Sequence, residues 1–201
     1  METKTARPTN VKSRGQLTAE IADHLFQDLK ERGYDVLYDH GDSSNENVGE
    51  IVSWYGNAKE CSRETELSQL DIAIVERSSN KAIALIEIEE TSNSPKTLLG
   101  EVFCILMGNH ISFRGKPLQV DSGTTLIVMS KSSVSSPERI TFLNRKVEIM
   151  RSALDTANAL IGEVVIETFC VKSELERKLK RQIDCALQKY SDMRRRTTLT
   201  A

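Results

Sequence analysis

Residues 70–90 read LDIAIVERSSNKAIALIEIEE, and the fold turns on how this stretch is paired. Two apolar runs, residues 71–75 and 82–88, flank the polar Arg77-Ser78-Ser79-Asn80, which is the pattern of paired strands around a loop. A fold-back centred near Ser79 sets Asp71 opposite Glu87. Strand side chains alternate, so Glu87 and Glu89 share a face with Asp71, while Ala84, Ile86 and Ile88 line the other. Three carboxylates are thereby gathered on one surface. Like charges opposite one another on a sheet cost up to about 1 kcal/mol, and more when desolvated. A divalent, oxygen-seeking cation such as Mg²⁺ or Mn²⁺ offsets that cost, because these ions take one or two carboxylates and leave other positions to water and phosphate. The plainer alternative is an edge hairpin whose acids face water. Two details speak against it: Ile83 and Leu85 continue the carboxylate face as apolar residues, and an uninterrupted apolar run follows Asp71.

Upstream, Leu17, Ile21, Leu25 and Leu29 recur at helical spacing over residues 16–32, with Thr18 as an early cap and Gly33 at the stop. Glu20 and His24 lie four apart on a flank of that stripe. Residues 34–39 read as a first strand and 51–55 as a short second one, with Trp54 and Tyr55 expected in core packing. Residues 1–15 are polar and read as a flexible terminus. Downstream, Ser94 is an N-cap and Pro95 a first helical residue, opening a helix to about Met107. Lys96 lies in its first turn, where an ammonium opposes the helix dipole unless a phosphate is near. Residues 108–123 read as a loop carrying His110, Arg114 and Lys116, groups suited to a phosphate backbone. Residues 124–129 form an apolar β-branched strand, and the Ser-rich stretch after it leads to a helix over 138–160. A strand over 163–171 follows, then a helix over 173–193 with Leu175, Leu179, Ile183, Leu187 and Tyr190 on one stripe.

With 201 residues the chain is long enough for one well-cored domain over residues 16–201, ending in a basic helix from about 173. Its net charge of -2 gives no global sign of a polyanionic partner, so DNA would be met by local patches, Arg194, Arg195 and Arg196 among them. Cys61, Cys104, Cys170 and Cys185 are widely spaced and fit no zinc or redox motif, so they read as reduced thiols of a cytoplasmic protein. No apolar run is long enough for a bilayer, and no membrane partner is expected. No glycine-rich phosphate loop and no Cys-His or Ser-His-Asp arrangement is legible.

The order helix, strand, hairpin with Asp and Glu-x-Glu, helix, strand over residues 16–129 resembles the core of the PD-(D/E)XK, or restriction-endonuclease-like, nuclease superfamily. The resemblance implies an α/β fold with a mixed central β-sheet flanked by helices on both faces. It implies Asp71 as the first motif acid, Glu87 as the second, and Glu20 as the acid many members place on the first helix. Glu89 stands where most members have Lys, and Leu70 where they have Pro. A Glu-x-Glu variant is familiar from BamHI-type restriction endonucleases. The implied activity is a Mg²⁺-dependent deoxyribonuclease, of which type II restriction endonucleases are one kind. Asp71 and Glu87 would hold the metal and Glu89 would act as general base, on double-stranded DNA and in a homodimer, as members often work. The alternative is a noncatalytic protein that keeps the fold to bind DNA or a protein partner.

Overall fold

A computed structural model describes residues 15–56, 61–91, 94–132, 137–154 and 160–199. The expected flexible terminus, most of the Ser-rich stretch and residues 155–159 of the long predicted helix lie outside them. The first helix, α1, spans Gln16–Leu29 and passes into a 3₁₀ turn, Lys30–Arg32. Its N-cap is Gly15, and the expected cap Thr18 is instead buried one turn in. Gly33 takes a left-handed φ of 87° and stops the helix, as its lack of a Cβ allows.

Four strands follow, β1 (Tyr34–Tyr38), β2 (Ile51–Trp54), β3 (Glu66–Leu70) and β4 (Ile72–Glu76), and then β5 (Lys81–Glu89). The remaining elements are α2 (Pro95–Leu106), β6 (His110–Phe113), β7 (Lys116–Leu118), β8 (Thr125–Lys131), α3 (Pro137–Ala153), β9 (Glu163–Phe169) and α4 (Lys172–Leu199). Ser94 caps α2 as expected, its side chain accepting from the Thr97 N–H. One sheet has the order β1-β4-β5-β8-β9, and the other β3-β2-β6-β7. In the first, β1, β4 and β5 are antiparallel, while β5, β8 and β9 run parallel. The protein is thus α/β with mixed and antiparallel sheets and helical cover.

The five-stranded sheet is buried on both faces, so its strands are apolar nearly throughout. On one face Ile72, Ile74, Ile86 and Ile88 pack with Ile21 and Leu25 of α1 and with Leu175, Leu179, Ile183, Leu187 and Tyr190 of α4. On the other, Ala73, Val75, Leu85 and Val128 pack with Leu98, Val102 and Ile105 of α2, Leu143 and Val147 of α3, and Ile51 and Leu70 of the second sheet. The predicted stripe of α4 is therefore its contact with this domain. Ile83 corrects the hairpin reading. The β4/β5 register slips between Ile74 and Val75, so Ile83 is an extra residue that turns to the α1/α4 face beside Ala84.

The expected loop over residues 108–123 is also corrected, because β6 and β7 form a hairpin there. Its two-residue turn has positive φ at both Arg114 (48°) and Gly115 (72°), the backbone of a type I′ turn. An arginine is disfavoured by roughly 1–2 kcal/mol in that region. Its guanidinium compensates by donating to the carbonyls of Ser43, Asn45 and Val48. Trp54 is half-buried with Nε1 donating to Ser112 Oγ at 2.7 Å, whereas Tyr55, expected in the core, is exposed. Among the described residues no helix is long and apolar enough to cross a membrane.

Two glycines test the packing in opposite directions. Gly100 faces open space on α2, so Gly100→Ala should raise unfolding free energy by roughly 0.5–1 kcal/mol. A Cβ on Gly162 would lie 1.7 Å from the Ser122 carbonyl oxygen, so Gly162→Ala should lower the urea midpoint, by about 1–3 kcal/mol in free energy.

Candidate active site

The chain leaves the second sheet at Leu70 and enters the first at Ile72, so Asp71 alone forms the corner between them. Ile72 pairs with Ile86, which carries the register to Asp71 against Glu87 as the sequence suggested. Beyond Ile86, β5 loses its β4 neighbour. The freed Ile88 N–H donates to Asp71 Oδ2 at 2.6 Å, so a side chain replaces the missing ladder acceptor. Thr18 approaches Asp71 Oδ1 at 3.5 Å from α1, and the Asp39 N–H donates to the Asp71 carbonyl at 3.0 Å. Asp71 is held by three different elements.

Glu87 and Glu89 sit beside Val128 and Ser130 of β8, at the C-terminal ends of the two parallel strands. A fourth acid joins them from α2. Glu101 is hydrogen-bonded to Glu89 and feels the charge of Asp71. It was missed in the sequence, although Leu98, Glu101, Val102 and Ile105 share one helical stripe, and a carboxylate on a buried stripe is itself a signal.

Burial pushes Asp71 up to about 6, against the bond from Ile88 and the nearby His40. Burial also pushes Glu101 up to about 7, aided by the bond to Glu89 and the charges of Glu89 and Asp71. Glu87 is driven well above the usual carboxylate range, first by burial and then by the charges of Asp71, Glu101 and Glu89. A bond between two carboxyl groups requires a shared proton. Oε2 of Glu87 and Oε2 of Glu101 are buried without a hydrogen-bond partner. Orphaned buried carboxylate oxygens are the donors a hard cation takes, and every donor here is oxygen. As placed, no three His, Cys, Asp or Glu side chains among the described residues are close enough to enclose an ion.

The other predicted residues are dispersed. Glu20 lies on α1 and is paired with Lys172 at 2.5 Å, with Gln16 also donating to it. Lys96 is exposed at the start of α2, and Lys116 is exposed on β7. Arg114 is engaged by the carbonyls named above, so its part as a free phosphate contact is withdrawn. Arg194 pairs with Glu76, and Arg195 lies 3.9 Å from Asp192. Glu76 ends β4 five residues from Asp71, roughly 17 Å at strand rise. The arginine run therefore belongs to the opposite end of the sheet from the acids. His24, expected to face water, is exposed beside Glu176 at 3.3 Å.

Set against models of known protein families, curated proteins and solved structures, the chain matches none of them. Fold and site define it by chemistry: an α/β protein with a half-buried carboxylate cluster at the end of its main sheet.

The raised carboxyls set a sign for stability. A carboxyl whose folded pKa exceeds its unfolded value near 4 contributes fully below that value, and the contribution is lost as pH rises through the folded pKa. Without metal, melting temperature should therefore fall as pH rises from about 5 to 8, through the Asp71 and Glu101 values. Glu87→Gln should flatten this slope and raise stability near pH 8. Asp71→Asn should gain less, because it weakens an acceptor worth about 1 kcal/mol to the Ile88 N–H. A slope unchanged by Glu87→Gln in thermal melts would deny the cluster this role.

Proposed function

We propose that the protein is a metal-dependent phosphodiesterase acting on DNA, with a restriction-endonuclease-like core. One observation carries the reading: a buried Glu87 carboxylate oxygen has no partner while three further acids crowd it. Such a cluster is costly alone and becomes favourable around a divalent cation. In the main sheet β1, β4 and β5 are antiparallel and β8 then joins β5 in parallel, with α2 between those two in sequence, which supports the resemblance drawn from the motif. Asp71 and Glu87 would hold Mg²⁺ or Mn²⁺. When bound, the ion would supply charge stabilisation at phosphorus and a more acidic water.

The chain's own residues have separable tasks. Asp71 is positioned by the Ile88 N–H at Oδ2 and by Thr18 at Oδ1. Glu89, last in β5, is the general base, and a base needs a site for the proton it takes. Glu101 bonds to Glu89 and is pushed up to about 7, so once it has given up its own proton it can take that one on. Leu85, Val128 and Leu98 pack beneath the acids and keep water from their inner side. A general base in this role contributes about 10²–10⁴-fold.

The test is cleavage of duplex DNA with Mg²⁺ or Mn²⁺. Parent protein should cut, and Asp71→Asn or Glu87→Gln should abolish cutting while remaining folded. Glu89→Lys should fold yet cut at least about 10²-fold more slowly, because an ammonium repels the ion and cannot act as that base. Faster cutting by Glu89→Lys would mark position 89 as a degenerate lysine site. Binding of DNA without cutting in all metals would leave the fold to a binding protein instead.

A further inference from the structure

We propose that Cys61 is a peroxide-reactive thiol whose proton is taken by His110. Cys61 Sγ lies 3.0 Å from His110 Nε2, across 49 positions of sequence. The pair stands apart from the acids. His110 ends the β2/β6 ladder opposite Trp54, while Ile51 at the other end of β2 faces Leu70 beside Asp71.

Three features make the pair more than a surface contact. First, the thiol is exposed, so a small oxidant reaches the sulfur. Second, the imidazole is held at both sides: its ring also bonds to the main chain of Gly56, and although burial lowers its pKa overall, that bond acts in the opposite direction. A neutral imidazole donates from one nitrogen and accepts at the other. With the Gly56 main chain taking the ring N–H, Nε2 is the acceptor turned to sulfur. Third, the described backbone beside both residues is hydrogen-bonded, for Cys61 on its C-terminal side. Asn109 Oδ1 accepts from the Gly56 N–H at 2.7 Å, and the Asn109 N–H donates to the Trp54 carbonyl at 2.8 Å. On the cysteine side, the Ser62 N–H donates to Thr65 Oγ1 at 2.9 Å, and the Tyr55 N–H donates to the Thr65 carbonyl at 2.8 Å. Nucleophile, base and a group orienting the base are thus preset, the arrangement that activates a thiol.

The step is an oxidation by a hydroperoxide. Sulfur attacks one peroxide oxygen as its proton passes to His110 Nε2. The O–O bond breaks, and the departing oxygen takes that proton from His110, leaving as water when the oxidant is hydrogen peroxide. Sulfur loses two electrons to become a sulfenic acid, and the peroxide is reduced by the same two.

The chain contains its own controls, because Cys170 and Cys185 are also exposed and neither is bonded to an imidazole among the described residues. Full-length protein is treated with hydrogen peroxide in the presence of dimedone, and adducts are quantified by peptide mapping. Cys61 should be trapped roughly tenfold or more faster than Cys170 and Cys185, and His110→Gln should bring it within about twofold of them. Equal trapping at the three cysteines of the parent overturns the proposal whether or not the variant folds. So does a Cys61 rate that His110→Gln leaves unchanged.

Discussion

The hydrogen bond from the Ile88 N–H to Asp71 Oδ2 joins the architecture to the acids. At this point the chain passes from one sheet to the other through a single residue, and β5 runs on without its antiparallel neighbour. A buried N–H left unpaired costs about 1–3 kcal/mol, so something must accept from it. A carboxylate does so more strongly than a neutral acceptor. The same geometry sets that carboxylate beside Glu87. The corner that lets two sheets share a core is therefore also what begins the acidic cluster.

The cluster is tolerated because the rest of the sheet is unusually secure. Ile72, Ile74, Ile86 and Leu85 are fully enclosed, with α1 and α4 on one face and α2, α3 and the second sheet on the other. The rise of Asp71 to about 6 corresponds to a preference for its protonated form on the order of 3 kcal/mol. Apolar burial contributes about 1.5–3 kcal/mol for each large side chain, so a few enclosed residues offset that strain. Local frustration of this kind persists where the surroundings overdetermine it.

What was legible in the sequence follows from the range over which each signal acts. The facing of Asp71 and Glu87 could be read from a fold-back at Ser79, and alternation carries Glu89 to the same face, but the turn itself pairs Glu76 with Lys81, so it is the extra Ile83 that brings the two acids into line. The slip at Ile83 could not, because an extra residue in an all-apolar run leaves the composition unchanged. The β6/β7 hairpin was hidden by short strands broken with Arg114-Gly115 and Pro117, where turn chemistry resembles loop chemistry. Glu101 and the Cys61–His110 pair needed three-dimensional packing: one arrives from a helix across the sheet, the other joins the loop before β3 to the start of β6, the strands on either side of β2. The amphipathic stripes of α1 and α4 were plain, since helical periodicity is local and repeated.

Charge is segregated along the main sheet in a way that bears on any polyanionic partner. Arg194 meets Glu76 at one end of β4, and Asp71 begins the other. A phosphate approaching the acids meets like charge, and at low effective dielectric two such charges a few ångströms apart repel by several kcal/mol. The distant arginines cannot cancel that at roughly 17 Å, about two Debye lengths at physiological salt. Lys172 stands nearer the parallel-strand ends, yet it already neutralises Glu20. Under the proposed function a divalent cation held by the carboxylates would reverse the sign of that encounter and would supply the partner that Glu87 Oε2 lacks. In the proposed function one ion would thus answer both the crowding of the acids and the electrostatic barrier to a phosphate, so metal dependence and phosphodiester chemistry stand or fall together in that proposal.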